Sequence, residues 1–273
     1  MDAGADERGR EVRARVLSPP LRLFTHSFPD DPALDTAVSR ALMLRVAAGE
    51  LPSTLRLARP GRMLAFSKRD VVAPGYADAV RAARTAGFEP AVRLAGGRAA
   101  VFHEDTLELA HARAEHEPRD GIHARFLSTA VLIARAIDGL GADARVGEVP
   151  GEYCPGRYSV NAAGARKLAG LGQRVVAGGS HTGAVIVVDG ADQVRAALIP
   201  VYEALGIDWD PATVGAVADE IATPPGDPWS ALRDALADEY ARSYELEPSE
   251  LDAETLELAG RLAGEHKPAV LEA

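Results

Sequence analysis

At 273 residues the chain has room for one large α/β domain, or for one domain with a small appendage. Its 47% hydrophobic and 26% charged residues are ordinary for a globular protein, and no run reaches the roughly 18 apolar residues of a membrane helix. A formal charge of −10 argues against a general nucleic-acid binder, which needs clustered cations, and a lone cysteine, Cys154, excludes an intrachain disulfide and a multi-thiolate metal site.

The segment Met1–Arg15 is polar and lacks the apolar centre of a signal peptide, so a cytoplasmic protein is expected, with residues 1–18 as a flexible tail. Leu21-Arg22-Leu23-Phe24 reads as a strand. After Pro32, Leu34, Val38, Leu42 and Val46 recur every four positions, one face of a helix that Gly49 closes. Strands are expected at Thr54–Leu57 and Arg62–Phe66, a helix at Tyr76–Ala86, and strands at Glu89–Arg93, Ala99–Phe102 and Thr106–Ala112. A long helix, His123–Leu140, precedes strand-like pieces at Ala144–Val146, Tyr158–Asn161, Lys167–Ala169, Gln173–Ala177 and Thr182–Val188. From Ala191 to His266 the pattern is helical, broken at Gly206, Pro224-Pro225 and Glu247-Pro248. Asp252 is placed as an N-cap there, with Leu251 and Leu256 as a hydrophobic staple. The reading is an α+β fold: a strand-rich body over residues 19–190 and a helical C-terminal extension, 191–273, packed on it.

Four segments carry residue types with chemistry. In Arg93-Leu94-Ala95-Gly96-Gly97-Arg98, running through Val101 to His103, paired glycines let the backbone approach a ligand and the arginines offer fixed charge. A solvent-facing glycine hairpin would read the same way. In Tyr153-Cys154-Pro155-Gly156 the thiol stands directly before a turn, where a stabilised thiolate is a nucleophile and an unstabilised one is a small buried hydrophobe. Gly164-Ala165-Arg166-Lys167-Leu168-Ala169-Gly170 feeds a lysine into a strand, either to meet a carbonyl or oxyanion or to face water. His181, in Gly178-Gly179-Ser180-His181, precedes an apolar strand and reads equally as a base or as a structural hydrogen bonder. The spread of the other histidines matches no metal spacing, so no metal site is expected.

Taken together, the segments resemble the lipoate branch of the biotin/lipoate protein ligase family over about residues 21–188. That branch carries Arg-x-x-Gly-Gly running into a strand and a histidine, then Gly-x-Lys-x-x-Gly. Arg93 to Gly97, His103, and Gly164 to Gly170 stand in that order. The resemblance implies a mixed β-sheet flanked by helices and an acyl tunnel walled by Gly96, Gly97, Arg98, Val101 and Gly170. Lys167 would contact the acyl carbonyl, and Arg93, His103 and His181 would lie at the substrate. An ATP-dependent ligase of this kind commonly has a further arginine where Val92 stands and a third glycine where Arg98 stands, and both departures weigh against it.

Transferases of this kind place a cysteine shortly before the lysine motif, and Cys154 lies thirteen residues (167 − 154) ahead of Lys167. The resemblance therefore implies an acyltransferase that moves octanoyl or lipoyl from a carrier to a lysine of a lipoyl domain through a Cys154 thioester. Its donor and acceptor proteins would be lipoyl-domain or glycine-cleavage H-type proteins, with acyl carrier protein as the second-ranked donor. No cofactor is expected, ATP and magnesium entering only with the ligase alternative. A third reading is a non-catalytic acyl- or lipoyl-domain-binding protein; none of the three involves a membrane or nucleic acid.

Overall fold

A computed structural model describes residues 20–269, so the expected N-terminal tail lies outside the described residues. In chain order the elements are β1 (Leu21–Phe24), α1 (Pro32–Ala47), β2 (Thr54–Ala58), β3 (Met63–Phe66), α2 (Lys68–Val71), α3 (Tyr76–Thr85), β4 (Glu89–Val92), β5 (Ala100–Phe102) and β6 (Thr106–Ala114). They continue as α4 (Ile122–Gly139), β7 (Ala144–Val146), β8 (Val160–Ala162), β9 (Arg166–Val176), β10 (Gly179–Val187), α5 (Ala191–Ala204), α6 (Pro228–Ala241), β11 (Leu246–Pro248) and α7 (Ala253–Leu262).

Eight strands form one mixed sheet in the order β11-β1-β2-β6-β10-β9-β8-β7, and three form a smaller sheet, β4-β3-β5. One face of the large sheet buries Leu57, Leu107, Leu109 and Ile186 against Ile133 and Ile137 of α4 and Leu232 and Leu236 of α6. On the other side of the small sheet, Leu64, Phe66 and Val101 pack with α3 and α5. These apolar stripes are what make the elements amphipathic and hold the layers together.

The element boundaries follow local chemistry. Asp31 caps α1 by accepting the Leu34 N–H at 3.0 Å, Pro32 occupies its first turn, and Gly49 takes φ 75° just beyond it. Asp252 caps α7 as expected, accepting from the Thr255 N–H at 2.8 Å. The staple does not form a buried pair, because Leu256 is left exposed.

Three features differ from the sequence pattern. The two pieces expected at Lys167–Ala169 and Gln173–Ala177 are one strand, β9, because β10 pairs with it continuously from Val176 to Ala169, straight through Gly170 and Gly172. The short α2 was not anticipated; Ser67 and Asp70 build its capping box reciprocally. The break at Glu247-Pro248 is a strand, β11, which adds in parallel to the outer edge of β1, where a proline costs no ladder bond. The C-terminal segment thus extends the main sheet, and α7 is tied to α1 by Arg45, which reaches Asp252 at 2.5 Å and Glu254 at 2.7 Å. No helix among the described residues is long and apolar enough to cross a membrane.

Candidate active site

The two sheets face each other across a narrow slot of about 60 Å3. Met63, Ala65, Ala100 and Phe102 form one wall, Gly170, Gly183, Val185 and Glu108 the other, and the Arg93-Leu94-Ala95 turn covers it. By volume it holds roughly four to six water-sized spheres, a single file rather than a chamber. Leu94 and Ala95 also line a wider cleft of about 910 Å3, and Cys154 lies in that cleft. Leu94 and Ala95 are therefore the partition between slot and cleft, and the Gly96-Gly97 turn continues from them on the cleft side.

Cys154 sits on the loop between β7 and β8 with φ 42°, a left-handed backbone that a non-glycine residue holds only when its surroundings over-determine it. Three groups do so. Its N–H donates to the Tyr202 hydroxyl at 3.0 Å, and that hydroxyl donates to the Ala99 carbonyl at 2.9 Å, linking α5, the loop and the head of β5. Glu152 gathers the loop from inside, accepting from the N–H of Val149 (3.1 Å) and Gly156 (2.9 Å) and from the Ser159 hydroxyl (2.6 Å). Lys167 donates to Glu152 at 3.1 Å and to the carbonyls of Tyr153 and Cys154 at 2.9 and 2.8 Å.

The thiol itself accepts the Arg98 main-chain N–H at 3.1 Å. A backbone donor to sulfur stabilises a thiolate. Gly97, at φ 117°, brings this about: a Cβ there would stand 2.8 Å from the Cys154 sulfur and 3.4 Å from Arg93 Nη1. Arg93 clamps the same turn by donating to the Arg98 carbonyl at 2.9 Å, and Gly172 leaves it room, since a Cβ there would stand 2.8 Å from Nη2. The Arg98 side chain is drawn away to the buried Asp70 at 3.3 Å.

The sequence-derived residues are thus partly brought together. Arg93, Gly97, Arg98 and Cys154 meet beside the partition, with Gly96 lining the cleft beside them. Lys167 joins them from below the Cys154 loop. It is fully buried, its three N–H donors are spent on Glu152 and two carbonyls, and its ammonium lies 4.8 Å from the Tyr153 ring centroid. Those contacts hold the Cys154 loop. Gly170 serves the lysine stem, which a Cβ would meet at 3.2 Å, and also lines the slot.

His181 lines the slot, its Nδ1 without a partner, and burial pushes its imidazole down to about 4, so it is neutral near pH 7. Two residues are misplaced by the sequence reading. Strand alternation turns Ala100 and Phe102 to the slot and Val101 to the opposite face, among Leu64 and Phe66. His103 falls in the β5–β6 turn, where its Nδ1 accepts the Asp105 N–H at 3.2 Å and its ring packs against Gly190, clear of slot and cleft. Two organising residues were missed. Glu152 carried a signal of sorts, a carboxylate two positions before the cysteine; Tyr202 carried none, being 48 residues distant.

The two-sheet fold with its glycine turn defines a lipoyl protein ligase A/B catalytic domain: that family's profile matches residues 31–218, and the chain belongs to it. Among characterised relatives, it is 29% identical over 170 residues to the octanoyl-[GcvH]:protein N-octanoyltransferase of Geobacillus kaustophilus, covering 62% of this chain and 60% of that protein. It is 27% identical over 173 residues to the lipoyl-[GcvH]:protein N-lipoyltransferase of Listeria monocytogenes, covering 62% of each. The chain therefore matches about three fifths of the length of these relatives. Its fold superposes with TM-score 0.73 on protein Ta0514 of T. acidophilum with bound lipoic acid, at 19% identity, over 90% of this chain and 95% of that one.

Proposed function

We propose that this protein is an acyltransferase that moves an octanoyl or lipoyl group from one lysine of a carrier protein to a lysine of a lipoyl domain through a thioester on Cys154. The observation that carries it is the 3.1 Å hydrogen bond from the Arg98 N–H to the Cys154 sulfur, beside the partition between a one-file apolar slot and an open cleft. The slot suits an unbranched chain, each buried methylene of which contributes about 0.8 kcal/mol. The cleft is wide enough for the lysine arm that delivers the chain.

In the first half-reaction the Cys154 sulfur attacks the acyl carbonyl of the donor amide. The C–S bond forms, the C–N bond breaks, and the proton from the thiol leaves with the donor lysine amine. In the second, the acceptor amine attacks the thioester carbonyl, an amide forms, and the proton it sheds returns to the sulfur. The Arg98 N–H favours the thiolate, Arg93 and Gly97 hold that donor in place, and Lys167 with Glu152 holds the cysteine. No histidine lines the cleft among the described residues. The relatives' names point to a glycine-cleavage H-type protein as donor. A donor that arrives already acylated needs no nucleotide activation, so the reaction proceeds without ATP.

The test is intact-mass measurement after mixing the protein with octanoylated H-type protein and no ATP. A mass increase of one octanoyl group on the wild type, absent from Cys154→Ser, is expected. No adduct on the wild type, or lipoate-dependent release of pyrophosphate from ATP that survives Cys154→Ser, overturns the proposal in favour of a ligase.

A further inference from the structure

We propose that Glu108 sets the length of the acyl chain the slot accepts, acting as a polar stop opposite the chain's terminal methyl; this rests on the acyl-transfer reading. Glu108 pairs with Val185 on β10, and Val185 pairs with Gly170 on β9, so the three form one row on one face of adjacent strands. With strands about 4.8 Å apart, the row spans about 10 Å. Its Gly170 end is the one nearer the Cys154 loop: Gly170 lies against the Lys167 stem, and the Lys167 ammonium holds the Cys154 carbonyl. An extended chain advances roughly 1.2 Å per bond, so the seven carbon–carbon bonds of an octanoyl group cover about 8 Å. An octanoyl chain entering the row at Gly170 thus places its terminal methyl at Glu108.

Glu108 cannot swing aside. Its Oε1 accepts from the Ser39 hydroxyl at 3.1 Å and its Oε2 from Arg56 Nη1 at 3.0 Å. Arg56 is fully buried and is itself fixed by Asp35 and by the His26 carbonyl at 2.9 Å. Ser39 and Thr36 of α1 add two hydroxyls beside Glu108, while Met63, Phe102, Val185, leucines and alanines, together with Arg93 and the neutral His181, line the rest of the slot. A longer chain would have to bury methylenes against a pinned carboxyl, stripping its remaining hydration without supplying a partner. Burial pushes Glu108 up to about 7 against the opposing pull of Arg56.

The experiment compares wild type, Glu108→Ala and Glu108→Gln at pH 8 with H-type protein carrying hexanoyl, octanoyl, decanoyl or dodecanoyl groups, reading the Cys154 thioester by intact mass. Glu108→Ala is expected to raise the dodecanoyl-to-octanoyl rate ratio at least tenfold. Glu108→Gln, which keeps the shape and the fold, is expected to raise it severalfold. Calorimetric titration with the free C6 to C12 acids reads slot length without turnover and is expected to shift in the same direction. An unchanged length profile in both folded variants, by mass or by titration, overturns the stop. A wild type that acquires no adduct at any length but binds the acids with a Glu108-dependent limit overturns the transferase reading alone.

Discussion

Gly97→Ala is the sharpest test of the glycine turn. The alanine would have to hold φ 117°, a region costing a non-glycine residue about 1–3 kcal/mol, and its methyl would lie 2.8 Å from the Cys154 sulfur. The thiol must rotate or the turn must open, and either breaks the bond from the Arg98 N–H. A hydrogen bond to a charged acceptor contributes about 1.5–3 kcal/mol, so thioester formation should slow by about 10- to 100-fold. The control is one residue away. A Cβ on Gly96 meets nothing within 4 Å, and its φ lies outside the left-handed region, so Gly96→Ala should change the rate less than about threefold. Single-turnover mass spectrometry gives both rates, and thermal melts report folding. Equal rates for Gly97→Ala and wild type, or equal losses in the two variants, would refute the role assigned to this turn.

Glu152→Ala leaves the buried Lys167 ammonium without its counter-charge and Ser159 without an acceptor, and should lower unfolding free energy by about 3–5 kcal/mol in urea melts. Glu152→Gln, which retains an acceptor, should cost clearly less; a loss under about 1 kcal/mol for the alanine variant contradicts the clamp. His181 is held neutral in the fold, with its folded value lowered to about 4 from 6.5. The unfolded chain therefore binds the proton first, and this contribution is complete above pH 6.5 and is lost as pH falls toward 4. Over that window wild type should lose up to about 3 kcal/mol more than His181→Gln. Because Glu108, raised to about 7, changes stability with the opposite sign, the comparison is between variants and not against pH alone. Parallel acid limbs in the two proteins would show that His181 is not buried neutral.

Much of the outline was legible because it rests on local physics. Four-residue periodicity with Gly49 as a stop marks α1, and Asp252 as a cap marks α7, without reference to the rest of the chain. Alternation marked most strands, and the order of the Arg93–Gly97, His103 and Gly164–Gly170 segments was enough to point to the family. Where continuity comes from a neighbouring strand, local pattern failed: β9 persists through its glycines because β10 pairs with it, and β11 exists because β1 offers an edge.

The division is clearest at the site. The sequence by itself determined which residue types stand together, a thiol, a lysine and a glycine pair with arginines. Only the tertiary structure decided what each one faces. One residue of strand phase sends Val101 to the core while Ala100 and Phe102 line the slot. Burial turns Lys167 inward, because an ammonium out of water must satisfy all its donors, and the nearest acceptors belong to the Cys154 loop. Tyr202 and Glu108 reach the site from distant segments through helix packing and strand register, and no local pattern encodes those distances.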